Sequence, residues 1–164
     1  MEKINDPQPP SGLSRLAFRA PIWFYRAHLG WLLGGRFLLL NHTGRKSGLP
    51  RQTVLEVVKH DSDQQIYYIA SGYGEKSDWY RNIMVNPDVN IQVGRKRYSG
   101  TVERLAPDAA EEIILDYGKR HPATLRELAR FMGYRIADAE ADYRALGRIL
   151  PIIAMQYIEP PSSK

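Results

Sequence analysis

Between Arg36 and Leu105 the chain sets down five short runs of aliphatic, β-branched and aromatic residues, each bounded by turn residues: Arg36–Asn41, Gln52–Lys59, Gln65–Ser71, Val89–Gly94 and Arg97–Leu105. Such runs read as strands. The Asp61-Ser62-Asp63 link and the short Gly94-Arg95-Lys96 connection join neighbours as antiparallel hairpins. Val89, Ile91 and Val93 alternate with Asn90 and Gln92, the pattern of a strand with one buried face. A strand-rich centre is therefore the frame on which the rest of the chain must be arranged.

Helical patterns flank it. Residues 14–33 read as an amphipathic helix with a kink at Pro21, ended by Gly34-Gly35. Arg15, Arg19 and Arg26 form one stripe, and Phe18, Trp23, Phe24 and Trp31 lie around the rest. Two readings stay open: a helix lying in a membrane interface, or one covering the open end of a sheet. It is not a membrane span, because Arg26, His28 and Arg36 interrupt the apolar run from Ile22 to Leu40. Asp78 to Val85 read as a short helix with Ser77 as its N-cap. Asp108 and Glu111 resemble a capping box opening a helix to Lys119. Further helices run from Pro122 to Gly133 and from Asp138 to Gly147, and Leu150–Ile158 is a last strand whose early proline marks an edge or a strand start. One domain over 14–159 results, with disordered tails at 1–13 and 160–164.

The chain has 164 residues, no cysteine, and a formal charge of +5. The missing cysteine excludes a disulfide framework and a thiolate nucleophile, as suits a cytoplasmic protein. Residues 1–14 lack the pattern of a secretory signal. His28, His42, His60 and His121 have no metal-site spacing, and there is no Gly-x-Ser-x-Gly element. The positive charge favours acidic partners. Arg95-Lys96-Arg97-Tyr98 could track a phosphate backbone, but the basic residues are dispersed among 18 acids and no nucleic-acid motif is present, so nucleic acid is not an expected partner.

Chemistry concentrates in the turn Asn41–Arg51. Two glycines and three cations, Arg45, Lys46 and Arg51, join two strands and could hold an anion. An ordinary basic hairpin turn has the same composition. Downstream, Ser71 ends a strand at a glycine-containing loop, where it faces a ligand or simply closes the strand. Trp79 and Asn82 share a helix face; they could stack on and fix a planar ligand, or serve as core residue and cap.

Three motifs taken together, Leu39–Arg51, Tyr68-Ile69-Ala70-Ser71-Gly72, and Asp78–Asn82 with Asn86-Pro87, resemble the deazaflavin-dependent nitroreductase and quinone reductase family in order and spacing. The resemblance covers residues 36 to 105 closely. It implies an α+β, mostly β fold: a split β-barrel of about six antiparallel strands with N- and C-terminal helices. It also implies an oxidoreductase that passes hydride from reduced coenzyme F-420 to a small-molecule acceptor: a quinone, a nitroaromatic or an activated alkene. By the same resemblance Arg45, Lys46 and Arg51, with Ser47 and Thr53 beside them, hold the cofactor's phosphate and acidic tail. Ser71 and Gly72 support the deazaflavin ring, Trp79 and Asn82 line its pocket, and Tyr143, with Tyr134 as a second candidate, stands over the ring near the acceptor. Ser71 and Tyr143 are thus the expected catalytic residues.

The chain departs from the family at two points. Gly72 stands where many members have a lysine, which Lys76 could replace, and residues 118–142 are longer and more helical. The runner-up cofactor is FMN, and the alternatives are an FMN- or haem-binding split barrel or a non-catalytic module at the membrane surface through residues 14–33. Oligomeric state is not legible.

Overall fold

The computed structural model describes residues 1–5, 27 and 34–158. The expected helix over 14–33 lies outside the described residues apart from Ala27, as do residues 6–13 and 160–164. Eight strands are present among the described residues: β1 (Glu2–Lys3), β2 (Phe37–Thr43), β3 (Pro50–Asp61), β4 (Ile66–Ala70), β5 (Asp88–Val93), β6 (Lys96–Arg104), β7 (Tyr134–Arg135) and β8 (Ile152–Ile158). The helices are α1 (Asp78–Val85), α2 (Pro107–Arg120), α3 (Pro122–Phe131) and α4 (Glu140–Ile149). Each of the five apolar runs becomes a strand whose ends lie within two residues of those expected.

Six strands close on themselves in the order β2-β3-β4-β8-β6-β5, every pair antiparallel. This is the expected split barrel, and closure removes the sheet edges that would otherwise need covering. The alternation in β5 holds: Val89 and Ile91 are buried while Asp88 and Asn90 are exposed. Gly94 has φ +57 at the first central position of the two-residue β5–β6 turn, a conformation that glycine adopts without cost. Pro151 precedes β8, which lies between β4 and β6 rather than at an edge, so the proline marks a strand start.

Two cores result. Inside the barrel lie Leu38, Leu40, Tyr67, Ile69, Ile91 and Met155, with Tyr80 and Ile83 of α1 plugging one end. Outside it, Val58, Tyr68, Ala70 and Ile152 present the opposite face of β3, β4 and β8 to helices α2, α3 and α4. Helices α2 and α4 approach closely at glycines: a Cβ on Gly147 would lie 2.7 Å from Glu111 Cα, and one on Gly118 would lie 2.7 Å from the Tyr143 ring.

Three local expectations are corrected. Helix α2 starts at Pro107 with Ala106 at the cap and no side-chain cap bond, so there is no capping box. Proline at the first helical position is already preorganised, and Glu111 is instead buried at 6% exposure, bound by Arg144 Nη1 at 2.9 Å and Arg148 Nε at 2.5 Å. Ser77 flanks α1 with extended backbone but makes no side-chain cap bond. Residues Glu2 and Lys3, read as part of a disordered tail, pair with Arg135 and Tyr134, and the Ile4 and Asn5 N–H groups both donate to Gly133 O. No helix among the described residues is long and apolar enough to cross a membrane.

Gly100 on β6 faces Gln156 and Tyr157 of β8, and a Cβ there would stand 2.1 Å from the Gln156 carbonyl oxygen. Gly100→Ala should therefore lower stability in urea unfolding by about 2–3 kcal/mol, as overpacking against backbone does. Gly35→Ala, where a Cβ meets nothing within 4 Å, should stay within about 0.5 kcal/mol.

Candidate functional site

The β2–β3 turn is a compact loop with its own hydrogen bonds. Gly44 N donates to Leu49 O at 2.9 Å, Gly48 N to Gly44 O at 2.8 Å, and Leu49 N to Ser47 Oγ at 3.3 Å. Gly48 has φ +66, which a side chain would strain. A Cβ on Gly44 would sit 2.6 Å from Ser47 Oγ, so Ser47 packs into the turn as a brace.

Asn82 of α1 clamps this turn to the barrel end. Its Oδ1 accepts from Arg45 N at 3.0 Å and from Arg45 Nη1 at 2.9 Å. Arg45 also donates to Asp78 O at 3.4 Å and forms an ion pair with Asp78 Oδ1 at 3.1 Å. On its other side the Asn82 Nδ2 group lies 3.3 Å from His42 Nδ1. An amide NH₂ can only donate, so Nδ1 must be the bare, accepting nitrogen of a neutral ring. His42 and Asn82 are 7% and 5% exposed. Burial first, and then the nearby Arg51 charge, lower the His42 pKa from 6.5 to about 4.

The cations of the turn thus divide by role. Arg45 uses three N–H bonds on Asp78 and Asn82, which leaves two of its five donors for a ligand. Lys46 and Arg51 are exposed, and among the described residues neither side chain has a hydrogen-bond or ion-pair partner. The main-chain N–H groups of Lys46 and Ser47 likewise donate to nothing among the described residues. Two such N–H groups beside two exposed cations form a donor set that could hold an anion.

The other expected residues are placed differently. Ser71 is fully buried; its Oγ donates to Gly74 O at 2.7 Å and pairs with Ser77 Oγ at 2.9 Å, and its N–H donates to Pro151 O. Through these bonds its hydroxyl pins the loop that follows β4. Gly72 packs against α3, where a Cβ would meet Leu128 at 3.2 Å and Phe131 at 3.3 Å. A side chain there would need the Leu128 and Phe131 side chains to give by a few tenths of an ångström. Trp79 is half-buried against the barrel core, and Thr53 is half-buried opposite Leu40. Tyr143 is not brought to the turn. It is 4% exposed within the helical core, and its hydroxyl donates to Asp138 Oδ1 at 3.1 Å. Burial first, and then Asp138, raise its pKa above the usual tyrosine value.

Beside the turn runs an open groove of about 760 Å³. Arg45, Gly72 and the second tyrosine candidate Tyr134 reach it from the expected set, as does Lys76, with Lys3 and Arg81 adding further charge against Glu75. Tyr73, Tyr80 and Tyr134 supply aromatic wall, and Met84, Val85 and Ile149 supply exposed apolar surface at 39%, 61% and 42%. Arg45 is the point shared by turn and groove. His42 and Asp78 were missed as members of the site. The available signal for His42 was its phase: it follows Leu38 and Leu40 on the inward face of β2, where a polar residue needs a buried partner.

This barrel places the protein in a class of split-barrel domains. A solved F420-H2 dependent reductase superimposes over 73% of this chain and 93% of its own with a TM-score of 0.51 and 22% identity. A protein related to general stress protein 26 from Clostridium acetobutylicum, of the pyridoxinephosphate oxidase family, covers 82% of this chain and 84% of its own with a TM-score of 0.50 and 11% identity. Residues 17–125 match the family described as F420H(2)-dependent quinone reductase, and the chain belongs to that family. An F420H(2)-dependent quinone reductase of Mycobacterium tuberculosis is 39% identical over 71 residues, which is 43% of this chain and 47% of the relative. The chain thus spans about half the length of the curated relatives it matches.

The His42 ring sets a pH dependence. Unfolded, it titrates near 6.5, and folded, at about 4, so the unfolded chain binds more protons between these values. The contribution is complete above pH 6.5 and falls away as pH drops to about 4, by about 3 kcal/mol in all. Urea unfolding at pH 7 and pH 5 should show this component in the wild type and its loss in His42→Leu.

Proposed function

We propose that the chain is an oxidoreductase that binds reduced coenzyme F-420 and passes its hydride to a quinone. The observation that carries this reading is the cradle of Lys46, Arg51 and the two open N–H groups, held rigid by Arg45 and Asn82. Family membership supplies the cofactor class, and the donor set suits it: a phosphate and carboxylate tail needs several cationic and N–H donors that no internal acid has claimed. FMN, the runner-up, would satisfy the same cradle with a single phosphate, so the greater number of donors favours the more acidic cofactor.

When bound, the reduced deazaflavin supplies the hydride, and the protein supplies position and electrostatics. Lys46 and Arg51 bind the anionic tail. Arg45 has two N–H groups left to contact it where turn and groove meet. The Tyr73, Tyr80 and Met132 walls of the groove offer a planar group apolar surface and exclude water from its face. Ser71 acts through its hydrogen bonds, which hold the Gly72–Lys76 loop in place. Residues 14–159 work as one unit in this reading. Nitroaromatics and activated alkenes are further acceptors of the same chemistry.

Titration of the purified protein with coenzyme F-420 and with FMN, followed by fluorescence, tests the reading. F-420 should bind at micromolar concentration and more tightly than FMN. Lys46→Ala and Arg51→Ala should each weaken it about tenfold or more, as loss of a charge-assisted hydrogen bond does. Absence of F-420 binding would sink the proposal. Tight FMN binding in its place would move the chain to the rival cofactor class. Turnover with a soluble naphthoquinone, a nitroaromatic and an activated alkene then ranks the acceptors, with the quinone expected first.

A further inference from the structure

We propose that His42 is a positioning residue for the anion-binding turn: its accepting ring nitrogen holds the Asn82 amide in the one orientation that lets the amide oxygen bind Arg45. The role in cofactor binding rests on the function proposed above, while the positioning itself stands on the protein alone.

An asparagine amide has two orientations that fill nearly the same space, and only its partners choose between them. Here the Arg45 side requires an acceptor, since both the Arg45 N–H at 3.0 Å and its Nη1 at 2.9 Å point at the same atom. If the amide were reversed, donors would face donors. The remaining Nδ2 then faces His42 Nδ1 at 3.3 Å, in a region where both side chains are buried and water does not offer an easy substitute. An unmet buried donor is costly, so the acceptor at residue 42 is what makes the observed orientation the stable one.

Its reach extends to the ligand-binding atoms. Arg45 N is the residue before the two open N–H groups, so fixing it fixes the direction in which Lys46 and Ser47 N–H point. His42 is also opposite Arg51 in the β2–β3 register, which places the ring beside a cradle cation. The relay runs from a strand of the barrel wall through a helix to the turn, spanning sequence separations of 40 and 37 residues. No other side chain among the described residues hydrogen-bonds the Asn82 amide from the barrel side.

Two variants separate position from packing. His42→Phe fills the site without an acceptor. His42→Asn offers a carbonyl oxygen near the place of Nδ1. In ¹⁵N-edited NMR of the ligand-free protein, wild-type His42 Nδ1 should carry the shift of an unprotonated nitrogen at neutral pH. The Arg45 amide and Asn82 side-chain signals should move in His42→Phe and return toward wild type in His42→Asn. With coenzyme F-420 as probe, His42→Phe should bind about tenfold more weakly and His42→Asn within about threefold of wild type, both measured where circular dichroism shows them folded. A protonated Nδ1 in the wild type overturns the proposal, and that measurement stands even if neither variant folds. Equal affinity of His42→Phe and wild type also overturns it, as does equal weakness of the two variants. If the wild type fails to bind F-420, the proposed function falls, and the NMR comparison alone decides the positioning role.

Discussion

Strand β8 is buried on both faces from Ile152 to Met155, and with β3 and β4 it forms a wall that divides the interior into two cores to which everything else is fitted. Residues such as Tyr67, Ile69, Ile153 and Met155 fill the barrel, while Val58, Tyr68, Ala70 and Ile152 meet the helices on the other side. Each fully buried aliphatic side chain is worth about 1.5–3 kcal/mol relative to exposure. Because strand residues alternate with a period of two, a slip of one residue would exchange the two cores. Val57 packs on the barrel side and Val58 in the helical core by ordinary alternation, and the register shift between Val57 and Lys59 then sets Lys59 over Tyr68 on the outer face and returns His60 to Tyr67 on the barrel side.

With the wall fixed, the opposite side of the barrel is free to carry chemistry. Helix α1 closes one end with Tyr80 and Ile83, and the same helix turns Asn82 and Asp78 toward the β2–β3 turn. A loop that would be mobile by composition becomes a rigid projection. The Asn82 contacts to His42 and Arg45 lie where water is scarce, so each is worth more and its loss costs more, whereas the Arg45–Asp78 pair is exposed. Among the described residues two of the turn's cations, Lys46 and Arg51, enter no ion pair, and that lack of compensation is what the proposed binding role draws on.

The strands were legible because half-buried pleats impose alternation, and the hairpin connections because glycine and aspartate mark them. What escaped depended on contacts between distant residues. Asp108 and Glu111 have the spacing of a capping box, yet Pro107 starts the helix and two arginines of α4 claim Glu111. Strands β1 and β7 hold two residues each, too few to show any period. In the site, the turn was readable from its glycines and cations, and Asn82 from its place on α1. The buried roles of Ser71 and Tyr143 were not, because a side chain's exposure is decided by which helices pack over it.

Strand β8 ends at Ile158 and lies between β4 and β6, whose partners were laid down 50 to 90 residues earlier. The hairpins β2–β3, β3–β4 and β5–β6 can form locally, but neither core can be completed until that last segment arrives. On a ribosome the nascent chain must therefore wait with β4 and β6 unpaired on one side, and high contact order makes the closing step slow. During that interval two open edges are available to other chains. A premature stop anywhere before residue 152 removes the closing strand and leaves an aggregation-prone open sheet of five strands in place of a shortened barrel.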